Sequence, residues 1–374
     1  SLKHQNFLVM ENPPSRVNWH NFDRAKRPGM HELASLQDVA HGSQGVLYFQ
    51  LRASRGSSEM FHGAVIEHRH PEKTRAFKDV TKVGKDLEKI SPIVATNYAK
   101  AKVAIVFSYD SYWALQDAES YSVNKNIWQT IQKHYRYFYE HDIPVDFVSS
   151  EDDFSQYDLL IDPMHFLMSK AYLEKIDNYV KNGGKIVGTY ISGVVDENDL
   201  AYMNEWPKEL QEIYGLEPLE TDVLYPGQSN LINFEGKEYP VHDYCETLIN
   251  CTGKVLATYS TDFYQDTPAI VEHSYGAGKG YYLACRTDYS FLEKFYEKIA
   301  SELVPEIPIT KFNDRVSIQI RENKSEKYWF VQNFSDKEEK IELSCELVNL
   351  LEDVKDKGTV SLKPFESKVY TLCR

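Results

Sequence analysis

The sequence predicts an α/β protein in three parts: the end of a (β/α)8 barrel, a flavodoxin-like doubly wound domain, and a small C-terminal antiparallel β domain. Three observations carry this. Short apolar runs alternate with segments of helical spacing through residues 7–303. The first of those runs ends in a carboxylate, Glu11, followed by Asn12-Pro13-Pro14; the carboxyl end of a strand is where a barrel enzyme keeps its catalytic groups. From residue 309 onward apolar and polar residues alternate with period two.

Residues 1–92 read as strand, helix, strand, helix. The apolar run at 7–10 is a short buried strand. Leu33, Leu36, Val39 and Ala40 place a helix over 31–41. Gly45-Val46-Leu47-Tyr48-Phe49-Gln50 is the second strand, and a long loop at 52–70 follows. Phe77, Val80, Val83, Leu87 and Ile90 recur every three or four residues, giving a helix from 72 to about 90 that Pro92 ends. Two parallel strands with open edges are marginal alone. This part is therefore expected to dock on the middle domain, to pair with another chain, or to belong to a longer polypeptide.

Residues 93–305 begin a fresh pattern. Strands are expected at 103–107, 145–148, 159–161 and 185–190, with helices at 127–141 and 172–182, the latter capped by Gly183-Gly184. This is a doubly wound succession. Gly276-Ala277-Gly278-Lys279-Gly280 lacks the full phosphate-loop form and leads into a strand rather than a helix. It reads as the turn of a hairpin between 269–273 and 280–284. No nucleophile elbow of the Gly-x-Ser-x-Gly type follows any strand, so the domain reads as non-catalytic, closed by a helix at 291–304. In residues 306–374, strands at 316–320, 328–331, 340–343 and 368–372 are separated by turns such as Glu322-Asn323-Lys324.

Composition narrows the function. The formal net charge is −14, which argues against nucleic acid, whose phosphate backbone needs a basic surface. The longest apolar runs are five or six residues, too short to span a bilayer. The opening Ser1-Leu2-Lys3-His4-Gln5 forms no signal peptide. Cys245, Cys251, Cys285, Cys345 and Cys373 are odd in number and include no Cys-x-x-Cys, so reduced thiols and a cytoplasmic setting are expected. The 26 Tyr and 18 Phe suit stacking on sugar rings or, more plainly, a Tyr-rich core.

Three groups of residues invite chemistry. A strand-end carboxylate such as Glu11 can attack an anomeric carbon, and a retaining glycosidase pairs that nucleophile with a second carboxyl about 5 Å away. Glu59 and His62 are three apart, so one helical turn aims both the same way. Such a pair can grip adjacent sugar hydroxyls; a solvated loop pair is the plain alternative. His62, His68 and His70 match no zinc spacing and have no Cys nearby. Neither a metal nor a cofactor is expected.

Several segments resemble glycoside hydrolase family 42, the β-galactosidases that combine a barrel, an α/β trimerisation domain and a small β domain. They are Phe7-Leu8-Val9-Met10-Glu11-Asn12-Pro13-Pro14-Ser15 with Asn18-Trp19, Lys26-Arg27-Pro28-Gly29, the stretch from Ala40-His41-Gly42 to Tyr48-Phe49-Gln50, Ser54-Arg55-Gly56, and Glu59-Met60-Phe61-His62-Gly63-Ala64-Val65. The resemblance implies that Glu11 is the nucleophile, that Trp19 and Phe49 wall the galactose pocket, and that Glu59 and His62 bind galactose hydroxyls. It implies a homotrimer held by the middle domain and a terminal β-galactoside as substrate. The family's acid/base Glu lies in an Asn-Glu pair at the end of the fourth barrel strand, and no segment before Glu11 supplies it. The two strands here correspond to the seventh and eighth. The isolated chain is therefore expected to be inactive. The other readings are a non-catalytic oligomerisation module and a galactose-binding protein with a decayed barrel.

Overall fold

The structure is a computed structural model that describes residues 5–373; residues 1–4, part of the stretch read for a leader, lie outside them. The chain divides into two compact units, residues 1–100 with 305–374, and residues 101–304.

The first unit opens with β1 (Phe7–Asn12), α1 (Met30–Ala40), β2 (Ser43–Tyr48), α2 (Arg75–Lys89) and β3 (Asn97–Tyr98). β1 and β2 run parallel, Phe7 level with Ser43 and Asn12 with Tyr48. α2 begins at Arg75 rather than at 72. Pro71 opens a single 3-10 turn, and the Thr74 side chain then caps the helix by accepting from the Phe77 amide. β1 is less buried than its sequence implies: Leu8 is 54% and Met10 71% exposed. Both lie on the same face of the strand. β1 has one partner strand, and the described residues place no layer over that face.

The second unit begins with β4 (Val103–Val106), α3 (Tyr109–Asp117), α4 (Ile127–Glu140), β5 (Val145–Val148), β6 (Leu159–Asp162), α5 (Lys170–Lys181), β7 (Lys185–Thr189) and α6 (Lys208–Tyr214). β8 (Glu217–Val223), β9 (Asn230–Phe234), β10 (Lys237–Ile249), β11 (Lys254–Tyr259), β12 (Pro268–Tyr275), β13 (Gly278–Leu283) and β14 (Cys285–Thr287) follow, then α7 (Tyr289–Ala300). The parallel core has the order β13-β7-β6-β4-β5. Ile127, Ile131, Phe138, Phe291 and Phe295 from α4 and α7 belong to one apolar cluster. Tyr172, Leu173, Ile176, Leu210 and Ile213 from α5 and α6 belong to another. The sheet is thus covered on both faces, as a doubly wound sheet requires. β12 and β13 form the hairpin expected around Gly276. The strands β8 to β11 and β14, which extend the sheet to eleven, were not read from the sequence.

The chain closes with β15 (Ile309–Lys311), β16 (Val316–Glu322), β17 (Lys327–Asn333), β18 (Glu339–Asn349), β19 (Val354–Leu362) and β20 (Ser367–Leu372). They form an antiparallel sheet that β3 joins, Tyr98 facing Arg321 and Asn97 facing Glu322. The segment 97–98, read as part of 93–305, therefore sits in the first unit.

The early elements rest on this sheet, an arrangement the sequence reading did not consider. Leu36, Val39, Ala40, Ile90 and Ile93 pack with Tyr328, Phe330, Leu351 and Val369. Arg321 on β16 is fully buried and acts as a tie. Its Nη1 donates to the carbonyls of Val39 at 2.8 Å and Ser43 at 3.0 Å, and its Nη2 to that of Thr96 at 2.7 Å. One guanidinium thus fixes the end of α1, the start of β2 and the chain entering β3.

Candidate functional site

The carboxyl ends of β1 and β2 lie side by side, and the Phe49 amide extends the ladder by donating to the Asn12 carbonyl at 3.2 Å. Glu11 stands one residue before that junction. Its side chain is exposed and makes no hydrogen bond or ion pair among the described residues.

The strand end is held from behind. The Asn12 side chain is buried; its Oδ1 accepts from Lys26 Nζ at 3.1 Å and its Nδ2 donates to Asp38 at 3.4 Å. Lys26 Nζ also donates to the Pro13 carbonyl at 2.7 Å. Burial lowers the pKa of Lys26 against the pull of Asp38. Burial also raises that of Asp38, partly offset by the bond from Asn12. Beside them His31 on α1 lies with its ring 4.9 Å from that of Tyr48. Burial, with Lys26 adding to it, pushes this imidazole down to about 4, so it is neutral at ordinary pH. This cluster fixes the backbone that presents Glu11.

The Phe49–Gln50 peptide is cis. Phe49 lies edge-to-face against His62, ring centroids 5.2 Å apart. His62 is 4% exposed. Its Nδ1 lies 3.0 Å from the Gly63 carbonyl; a carbonyl only accepts, so Nδ1 carries the proton and Nε2 is the acceptor in the neutral ring. The His62 amide donates to the Glu59 carbonyl at 3.0 Å, closing a turn. Gln50 Nε2 donates to the same carbonyl at 3.3 Å. The Glu59 carboxylate itself is exposed and has no partner among the described residues.

Trp19 belongs to the loop after β1. Asn18 Nδ2 donates to the Ser58 carbonyl at 2.7 Å, and the Gly63 amide to the Arg16 carbonyl at 3.0 Å. Gly63 is needed for that approach: a Cβ there would lie 2.0 Å from Ser15 Oγ and 2.7 Å from the Arg16 amide. The Trp19 indole is 72% exposed, and among the described residues its ring contact is to His20.

Phe49 and His62 are thus in contact, Glu59 is one turn from His62, and Trp19 is tied beside Glu59 through its neighbour Asn18. Glu11 shares their end of the sheet without touching them. The sequence reading did not find the Asn12–Lys26–Asp38 support, the buried Gln50 or the close approach at Gly63. Lys26 lies between Arg24 and Arg27 in a stretch that reads as a solvated basic turn, and nothing local marks it as half-buried and turned inward. His68 is engaged elsewhere, its Nε2 2.7 Å from the Ser54 carbonyl. Among the described residues no three His, Cys, Asp or Glu side chains gather as a metal site.

A free strand-end carboxylate, aromatic rings and an imidazole thus gather at one end of a parallel strand pair, the end at which barrel folds carry their sites. Residues 1–90 match the family described as β-galactosidase, residues 101–305 the β-galactosidase trimerisation domain, and residues 315–372 the β-galactosidase C-terminal domain. The chain belongs to glycoside hydrolase family 42. It is 44% identical over 99% of its length to a β-galactosidase of Bacillus licheniformis, and 42% identical over 99% to one of Bacillus subtilis. It spans 55% of the length of each. Among solved structures, a catalytic mutant of a family 42 β-galactosidase from G. stearothermophilus matches 99% of the chain with TM-score 0.95 at 41% identity, over 54% of its own chain. A β-galactosidase from Bacillus circulans matches 99% with TM-score 0.92 at 31% identity, over 56% of its own.

Proposed function

We propose that this chain is part of a retaining β-galactosidase that hydrolyses terminal β-D-galactosides, with Glu11 as nucleophile. The observation that carries the reading is the free carboxylate of Glu11 near the end of β1, beside Phe49 just past the end of β2, against whose ring the loop residue His62 packs. Phe49 and Trp19 offer apolar faces to the galactose ring. The Glu59 carboxylate and His62 Nε2 accept from its hydroxyls. Glu11 attacks the anomeric carbon, and the galactosyl-enzyme is then hydrolysed by water.

The departing oxygen needs a proton from a second carboxyl about 5 Å from the first. Among the described carboxylates of these loops, Glu59 is free and is assigned here to the galactose hydroxyls, while Asp38 and Glu67 are engaged. Asp38 accepts from Asn12, and Glu67 from Ser15 Oγ and the Ala64 amide, both at 3.4 Å. The chain by itself is therefore inactive, and the acid belongs to a further part of the longer enzyme. We also place the protein as a homotrimer held through residues 101–305, in the cytoplasm. The trimerisation-domain match and five unpaired cysteines support these two points, and no described helix is long and apolar enough to cross a membrane.

The test is chemical rescue in the full-length enzyme. Glu11→Gly should lower kcat/KM for an aryl β-galactoside on the order of 10⁴-fold or more. Azide should restore turnover by entering the vacated space and yield the α-galactosyl azide. Rescue that gives the β-azide would instead assign Glu11 the acid/base role.

A further inference from the structure

The second unit has a polar crevice that the galactosidase reading does not use. In its parallel sheet the first strand, β4, lies between β5 and β6. The chain leaves β4 toward one face and β6 toward the other, because α3 and α4 cover one side and α5 the other. Neighbouring strands whose connections diverge leave a gap at their carboxyl ends, and that switch point is where open α/β sheets bind ligands. A crevice of about 460 Å³ lies there, within the range that small-molecule sites occupy.

Its wall is built around a buried relay. The His165 and Asp162 side chains are 4% and 1% exposed. The Asp162 carboxylate is filled from both sides: Oδ1 accepts from His165 Nδ1–H at 2.7 Å and Oδ2 from the Tyr172 hydroxyl at 2.7 Å. The Tyr172 ring lies 4.5 Å from the imidazole and fixes its plane. His165 Nε2 faces the crevice wall with no partner among the described residues. The imidazole is thus oriented in advance, with its outer nitrogen open to bond a ligand in the crevice.

The remaining lining states what that ligand is. Asp110, Glu151 and Glu197 border the crevice and form no ion pair among the described residues. Lys175, the cation present, is spent on the carbonyls of Ser150 at 2.7 Å and Asp152 at 3.1 Å. Ser108 and Ser169 cap α3 and α5 with their oxygens, leaving each hydroxyl hydrogen to give. The site is rich in acceptors, so an anionic ligand is repelled. Its carboxylates are exposed and screened by salt, so they select weakly for cations. Their paired oxygens suit vicinal hydroxyls.

We infer that the switch-point crevice of residues 101–304 binds a neutral polyhydroxylated ligand of saccharide type, oriented by His165 Nε2. The site is separate from the Glu11 strand ends and does not depend on the galactosidase reading.

The test is isothermal titration of the 374-residue chain with galactose, lactose, putrescine and inorganic phosphate. The titrations are repeated in His165→Ala, in Ala171→Trp and in Trp19→Ala. Ala171 is an exposed residue in the first turn of α5 at the crevice and outside the relay; tryptophan there narrows the crevice and leaves all three relay residues in place, which keeps the test informative if His165→Ala fails to fold. Saturable binding of a saccharide, weakened at least about tenfold in Ala171→Trp and kept in Trp19→Ala, is the expected result. Three outcomes overturn the inference: no saturable binding of either sugar, binding lost in Trp19→Ala and kept in Ala171→Trp, or putrescine or phosphate bound more tightly than either sugar.

Discussion

Glu246 on β10 shows how far a single side chain departs from what its sequence neighbours suggest. It is wholly buried, yet it accepts from the Ile191 amide at 2.8 Å and from the Tyr282 hydroxyl at 2.7 Å. Those bonds favour the anion, but burial outweighs them and pushes the carboxyl up to about 7. Its folded pKa lies above the unfolded value. Its contribution is therefore fully present below about pH 4.5 and is lost as pH rises to about 7. Glu246→Gln keeps the acceptor for Ile191 and removes the charge. It should stabilise the chain by about 3 kcal/mol at pH 8 and change little at pH 4.5, read as denaturant midpoints. A penalty equal at both pH values would show that the hydrogen bonds, not the charge, dominate. Nothing in Cys245-Glu246-Thr247 marks this burial, because the partners lie 36 and 55 residues away. The place of Glu11 near a strand end, by contrast, was legible: a short apolar run, a carboxylate and Pro13-Pro14 are all adjacent in sequence.

At the scale of elements, the periodic segments were readable and the tertiary devices were not. β4 and β6 are almost wholly apolar and fully buried because both sheet faces are covered there, β5 and β7 keep enough apolar residues to read as strands, and α2, α4 and α5 keep their helical spacing. β8 carries Pro218 among Glu217, Glu220 and Asp222 and is only half buried, so it gives no strand signal. α3 is nine residues long, too short to show a period. The docking of α1 on the C-terminal sheet was hidden for another reason. It depends on Arg321, which in an alternating strand reads as a solvated position and is instead fully buried. Burial pushes its guanidinium down to about 10. Arg321→Met should destabilise the first unit by roughly 3 kcal/mol or more, since three carbonyls lose their donor. Arg321→Lys should recover only part of this, because an ammonium cannot match the planar fork. Calorimetry would show a lowered transition; an unchanged one would mean that apolar packing alone holds α1.

At the scale of the molecule, two properties go beyond the single chain. The match of residues 101–305 to a trimerisation domain predicts a mass in solution three times that of the chain; a strict monomer at micromolar concentration would remove the homotrimer. In the proposed function the first unit presents the nucleophile side of a galactoside site, with Leu8 and Met10 on an uncovered strand face beside it and its acid partner on a further part of the longer enzyme. The central claim is that Glu11 is a nucleophile without its proton donor. Its most direct measurement is the hydrolysis of an aryl β-galactoside by the purified 374-residue chain beside Glu11→Gln. Neither should exceed the buffer rate. Turnover by the unmodified chain, abolished by Glu11→Gln, would contradict the account, because it would show that the chain supplies its own acid.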